Sequence, residues 1–288
     1  MSNLYLIAEI GINHNGSVDR ACRMIDAANS AGWNAVKFQK RTIDLVYPQD
    51  VLNKPRKSPW GTTTREQKEG LEFGQEQYEF VNAYCREVGI PWFASAWDAQ
   101  SFEFLEQFDL PANKISSPMI VDQGLSRAVA ETGRLTYIST GATNFEDICR
   151  TAEIFEQAGC HYVLMHCVCQ YPVEPENAGL AQIKTHDRIF RISEQFPCFQ
   201  GVGYSGHEAP RDNLPSFAAI ALGARTIERH ITLDRADYGS DQDASMEPPG
   251  MAELRETGDK ILAMLGNGKI EMKRHEQAAA DKLRAHIK

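Results

Sequence analysis

Short apolar runs alternate with helical stripes along the whole chain. Eight runs rich in Val, Ile, Phe and Tyr read as strands: Leu4–Asn13, Asn34–Lys40, Pro91–Trp97, Asn113–Ser117, Leu135–Thr140, Tyr162–Cys169, Phe199–Ser205 and Thr226–Thr232. Between them lie stretches with apolar residues at helical spacing. Val18–Ala31 shows the pattern, with Val18, Cys22, Ile25, Ala28 and Ala31 on one stripe. Gln75–Val88, Gln100–Phe108, Gln123–Glu131, Phe145–Ala158, Leu180–Gln195, Leu214–Leu222 and Ala252–Leu265 read the same way. Gly32, Gly89, Gly133, Gly159 and Gly223 stand where helices end before the next strand. Alternation of this kind makes a parallel sheet, and eight units favour closure into a (β/α)8 TIM barrel over an open doubly wound sheet. The first strand is followed by no G-x-G-x-x-G turn, which weakens a dinucleotide-binding fold further. The expected organisation is one α/β barrel domain over residues 1–266 and a charged helical tail over 267–288, packed on the barrel or on a partner.

The length of 288 residues fits that barrel, since such folds run to about 250 residues. Acidic residues outnumber basic ones, 39 to 30, so a nucleic-acid partner is not expected. No run approaches the roughly 18 apolar residues of a membrane span. The odd count of 7 Cys, with no signal peptide at the start, points to free thiols in the reducing cytoplasm. Cys167 and Cys169 lack a second pair at zinc-site spacing and read as small buried side chains. One connection, Arg41–Gly74, is too long for a turn. It carries Arg56, Lys57, Trp60 and Arg65, and reads as a lid or binding loop.

Chemistry in such a barrel sits at the carboxyl ends of the strands, and every predicted strand ends polar. Alternation directs Glu9 with Asn13, Lys37 with Gln39, and Glu228 with His230 to one face. Lys37 and Lys114, converging with Ser117, Ser139 and Ser205, would make a pocket for a phosphate or carboxylate. The plainer alternative is that the two lysines only pair with Glu9 and Glu228. His207 and His230 end neighbouring strands. Beside inward carboxylates they suit a divalent transition metal with open positions, whereas singly each would read as a core histidine. Asp241 and Asp243 follow the last strand as outer groups of that site or as a solvated loop.

At these residues the chain resembles the sialic acid synthase (NeuB-type) family, over nearly all of residues 5–255. The resemblance is carried by Ile7-Ala-Glu-Ile-Gly-Ile-Asn-His-Asn-Gly16, Val36-Lys-Phe-Gln39, Asn113-Lys-Ile-Ser-Ser117, Ser139-Thr-Gly141, His166-Cys167 with Tyr171-Pro172, Ser205-Gly-His207 and Glu228-Arg-His-Ile-Thr232. It implies a barrel that condenses phosphoenolpyruvate with an open-chain N-acylated amino sugar or related aldose, giving a nonulosonic acid and phosphate. It implies phosphoenolpyruvate binding by Lys37, Gln39, Ser95, Lys114, Ser117, Ser139, Tyr171 and Ser205, and Mn2+ or another divalent metal on His207 and His230. Asn13, Trp97 and Asp241 would face the acceptor, and Glu9, Glu228 and Asn15 are the candidate catalytic groups. It also allows a homodimer.

Departures from the family pattern cluster on the acceptor side. Met119 replaces a glutamate of some members, Asn15 an acid and Gly206 an aspartate, while Cys169 replaces an asparagine near phosphoenolpyruvate; an antifreeze-like C-terminal domain is not expected. The rival expectations are a barrel synthase acting on a phosphorylated aldose, with basic loop residues receiving the second phosphate, and a non-catalytic sugar-binding barrel. A Schiff-base aldolase is disfavoured because a polar, anion-ready setting would not depress a lysine pKa.

Overall fold

The computed structural model describes residues 4–209 and 213–287. Eight parallel strands close a barrel: β1 (Tyr5–Gly11), β2 (Ala35–Lys40), β3 (Trp92–Ala96), β4 (Asn113–Ile115), β5 (Thr136–Ser139), β6 (Tyr162–Cys167), β7 (Phe199–Gly206) and β8 (Thr226–His230). Each pairs with its neighbours in sequence, and β1 closes the ring against β8 with Glu9 in register with His230. Helices cover the outside. Gln75–Val88, Gln123–Glu131, Phe145–Ala158 and Leu214–Leu222 have the expected bounds. Gly89 and Gly159 terminate theirs in the left-handed conformation, which glycine adopts without a Cβ penalty.

Sequence periodicity misplaces two features and leaves the internal structure of a third unread. Alternation carried β1 through Asn13, but the strand stops at Gly11. There φ is +53° and the register against β2 shifts by a residue, so the face alternation of Glu9 is not continued. Residues 41–74 are not a structureless loop. They form two single-turn helices (Ile43–Val46, Gln49–Leu52), a hairpin (Pro55–Ser58 with Gly61–Thr63) and a helix Thr64–Leu71, capped reciprocally by Thr63 and Glu66. Trp60 lies against Gly70, where a Cβ would fall 2.1 Å from the indole, so this excursion is packed rather than loose. The helix expected over 271–287 is reduced to Gln277–Leu283 after a 3-10 turn at Arg274–Glu276. None of its residues is buried, so it does not pack on the barrel.

The strand walls bury an apolar core, and one ion pair lies within it. Arg229 is fully buried, with Nη1 2.6 Å from Glu208 Oε1 and Nη2 donating to the Glu208 carbonyl at 2.9 Å. Ser216 and Tyr204 each donate to the Glu208 carboxylate. This network ties the chain just beyond β7 to β8, between residues that point the other way, into the mouth.

Among the described residues no helix is long and apolar enough to cross a membrane.

Candidate active site

The carboxyl ends of the strands enclose an inner cleft of about 210 Å³. It is lined by Glu9, Lys37, Gln39, Ser95, Trp97, Lys114, Ser117, Ser139, Tyr171, Ser205, His207, Glu228 and His230. All were picked from strand ends. Cys169, expected near phosphoenolpyruvate by the resemblance, lines the cleft too; sequence reasoning did not assign Ser116, Pro118 or Cys167 a place here, yet they complete the wall. Asn13 and Asn15 are not brought in. After the break at Gly11, the Asn13 amide donates to the Ile231 carbonyl and to Ser245 Oγ, bracing the turn after β8. Asn15 sits in the turn beyond β1 with φ +50°, outside both clefts of the mouth.

The floor carries two ammonium groups and two carboxylates. Lys37 Nζ lies 2.6 Å from Glu9 Oε2 and 3.6 Å from Glu228 Oε1. Lys114 Nζ donates to Ser139 Oγ at 2.5 Å and to the Ile115 carbonyl at 3.3 Å, with its nearest carboxylate, Glu228, 3.9 Å away. The difference sets their acidities. Burial alone would pull the Lys37 ammonium down, but Glu228 and Glu9 outweigh it and its pKa is raised. Lys114 is buried as deeply with less compensation and a like charge in Lys37, so its pKa is lowered. The expectation that a polar setting would leave both lysines undepressed therefore fails at Lys114. Glu228 is destabilised by burial, but Lys114 and Lys37 more than restore its charge, and its pKa lies below the usual carboxylate value. The pairing expected as the plainer alternative is thus present at Lys37 and weak at Lys114.

Hydroxyls surround these charges. Ser205 donates to Glu228 Oε1 at 3.1 Å, and Ser117 Oγ accepts from the Gly141 amide at 3.0 Å. Ser95 is fully buried and its hydroxyl has no partner. Gln39 donates to Glu9 Oε1 at 2.5 Å and accepts from Arg41, whose guanidinium stacks 4.1 Å over Trp97.

His207 and His230 face each other with ring centroids 5.4 Å apart. His207 Nδ1 lies 2.8 Å from the Val168 carbonyl, which assigns the proton to Nδ1 and leaves Nε2 a free lone pair. Burial, then the neighbouring His230, push the His207 pKa down to about 3, so the ring is neutral. His230 Nδ1 is buried without a hydrogen-bond partner, 3.6 Å from Asp241 Oδ2. Tyr171 stacks on His207 at 3.9 Å. Among the described residues no three His, Cys, Asp or Glu side chains converge as a metal cage. Two facing imidazoles, each with a ring nitrogen free of protein partners, still fit a divalent ion that keeps positions open for water or substrate.

An outer cleft of about 240 Å³ adjoins the inner one and shares Gln39, Trp97, Tyr171 and His230 with it. Asp241 and Ser240 form one side; Arg41, Tyr47, Lys68 and Glu72 of the 41–74 excursion form the other. The loop cations singled out from sequence are elsewhere. Arg56 and Lys57 are exposed on the hairpin, and Arg65 is held by Asp44 and Glu69. The cations that reach the mouth, Arg41 and Lys68, carried no signal beyond their charge.

A closed barrel whose carboxyl mouth gathers buried amines, hydroxyls and facing imidazoles defines a (β/α)8 enzyme for an oxyanion-bearing small molecule. The NeuB family model matches residues 24–270. The chain is 35% identical over 281 residues to the N-acetylneuraminate-9-phosphate synthase of Mus musculus, covering 97% of this chain and 76% of that protein. It is 28% identical over 272 residues to the N,N'-diacetyllegionaminic acid synthase of Legionella pneumophila, covering 92% and 74%. The crystal structure of N-acetylneuraminic acid (sialic acid) synthetase from Leptospira borgpetersenii in complex with citrate superposes with a TM-score of 0.86 at 28% identity, covering 99% of this chain and 92% of that one. The chain belongs to the NeuB family, and is a phosphoenolpyruvate-condensing synthase of the nonulosonic acid class.

Proposed function

We propose that the inner cleft holds phosphoenolpyruvate and the outer cleft the open-chain amino sugar that it attacks. The observation that carries this reading is Lys114: a buried ammonium with a depressed pKa, its nearest carboxylate 3.9 Å away and shared with Lys37, is only partly compensated and open to the charge of an incoming anion. Ser95, with its unpartnered hydroxyl, Ser117, Ser139, Ser205 and Gln39 are the remaining polar contacts for the phosphate and carboxylate. Tyr171 closes that side.

The floor by itself is electrically balanced, so a substrate with several negative charges calls for further positive charge. His207 and His230 would hold a divalent ion such as Mn2+, with Asp241 behind His230. When bound, it supplies that charge and polarises the acceptor's carbonyl oxygen. C3 of phosphoenolpyruvate forms a bond to the aldehyde carbon as the C2=C3 double bond opens and the aldehyde oxygen takes a proton; water adds at C2 and gives up a proton, and the C2–O bond to phosphate breaks as C2 becomes a ketone carbonyl. Glu228, held ionised by Lys37 and Lys114, or Glu9, is placed to take the proton from the adding water. Trp97, braced by Arg41, forms a wall common to both clefts.

Arg41 and Lys68 favour a second reading of the acceptor: a phosphate on the end of the sugar remote from the aldehyde would meet them. The test is phosphate release from phosphoenolpyruvate with Mn2+ and a panel of hexosamines, each with and without a terminal phosphate, followed by product mass. Turnover with one set names the acceptor, and no metal-dependent release with either would overturn the reading. Borohydride with pyruvate should leave Lys37 and Lys114 unmodified; a trapped imine would favour aldolase chemistry.

Asp241→Asn should weaken Mn2+ binding by roughly ten- to a hundredfold, the usual cost of losing a carboxylate behind a ligating histidine. Calorimetric titration of the purified protein measures it, and unchanged affinity would separate Asp241 from the metal.

A further inference from the structure

Two thiols meet in the inner cleft, and the condensation uses neither. Cys167 ends β6 and is buried, while Cys169 is exposed to the mouth. The intervening chain curls tightly, with the Gln170 amide donating to the Val168 carbonyl at 2.9 Å, a three-residue turn centred on Cys169. Both sulfurs reach one spot, beside Gly141. A Cβ on Gly141 would lie 2.7 Å from Cys169 Sγ, 3.1 Å from Cys167 Sγ and 2.7 Å from Ser117 Oγ, so only glycine leaves room for the cluster.

We propose that Cys167 and Cys169 are a peroxide-oxidisable pair whose disulfide shuts the Lys114 corner of the mouth. The remaining thiols are far apart in sequence and serve other surroundings; Cys160, for example, donates to the Arg134 carbonyl. The environment divides the two roles. The hydrogen bond from Cys167, with Ser117 and Lys114, draws the Cys169 pKa down to about 6, making it the attacking thiolate. Cys169 is exposed to the mouth and meets peroxide first, while Cys167 lies buried behind it as the resolving partner.

The Cys169 thiolate attacks one oxygen of hydrogen peroxide. The O–O bond breaks, hydroxide leaves and takes a proton to become water, and Cys169 becomes a sulfenic acid. Cys167 sulfur then bonds to Cys169 sulfur, the S–O bond breaks, and the departing hydroxyl takes the Cys167 proton as a second water. The sulfurs are oxidised and the peroxide reduced. The resulting bond of about 2.05 Å pulls Cys169 away from Ser117 and drags Val168 to Tyr171 with it. That segment carries the carbonyl that orients His207 and the ring stacked on it.

The disulfide stands on geometry alone; its effect on turnover rests on the phosphoenolpyruvate reading of the Lys114 corner. The full-length protein is treated with hydrogen peroxide, alkylated, digested and mapped, and each variant's turnover is compared with its own untreated value. In the unsubstituted protein the peptide holding both cysteines should resist alkylation and be lighter by a pair of hydrogens. Turnover should be lost and regained with dithiothreitol. Cys169→Ser should keep its own turnover under peroxide, and Cys167→Ala should accumulate a sulfenic acid on Cys169 that a cyclic 1,3-diketone traps. A disulfide found elsewhere, or equal peroxide sensitivity in Cys169→Ser, overturns the proposal. A mapped Cys167–Cys169 disulfide with turnover intact removes the shutting of the corner.

Discussion

Replacing Lys114 with alanine should lower kcat/KM for phosphoenolpyruvate by about a hundredfold or more while leaving the protein folded. Truncating one partner of a desolvated charge contact costs roughly 2–5 kcal/mol, and each 1.4 kcal/mol is a factor of about ten. The fold is spared because burial opposes the Lys114 charge before any ligand arrives, and because Glu228 keeps Lys37 at 3.6 Å. Lys37→Ala should behave differently, leaving Glu9 and Glu228 buried without their common partner and losing stability as well as activity. Steady-state kinetics with each substrate varied, beside thermal unfolding, separates the cases. If Lys114→Ala raised the acceptor KM as much as that of phosphoenolpyruvate, the assignment of this amine to the anion would be wrong.

Arg229→Ala should destabilise the protein by about 3–5 kcal/mol, because it strands the buried Glu208 carboxylate without its cation. For a domain near this size that is a fall in Tm of roughly 6–20 °C. Replacing Arg229 and Glu208 together with Met and Leu should recover most of the loss, since matched apolar side chains often equal a buried pair. Denaturant unfolding of the single and double variants tests this. A single variant as stable as the parent would show that the pair does not hold β7 to β8. Its position has a functional side: Glu208 follows His207, and Arg229 separates Glu228 from His230. Slack in this pair is therefore slack in the mouth.

The barrel was legible because its signal is local and repeated. Eight apolar runs, helical stripes and glycines at helix ends each depend on a few neighbouring residues, and together they allow little but a closed parallel ring. The membership of the inner cleft was legible for the same reason: a polar residue at the carboxyl end of a barrel strand has one place to go. Where local periodicity was interrupted, inference from it failed. The backbone break at Gly11 removed Asn13 from the face assigned to it, and nothing in alternation counts a register shift.

The order of strands, the convergence of Lys37, Lys114, Glu9, Glu228, His207 and His230, and the family pattern were thus properties of the amino-acid sequence itself. Only the tertiary structure decided that Lys37 is fully compensated and Lys114 only in part, that Arg41 and Lys68 rather than Arg56 and Lys57 reach the outer cleft, and that two thiols share the space of one missing Cβ. The reason is physical. Periodicity acts over a few residues along the chain, whereas Coulomb forces and steric contact act over a few ångströms in space, and a difference between 2.6 and 3.9 Å is invisible until the ring has closed.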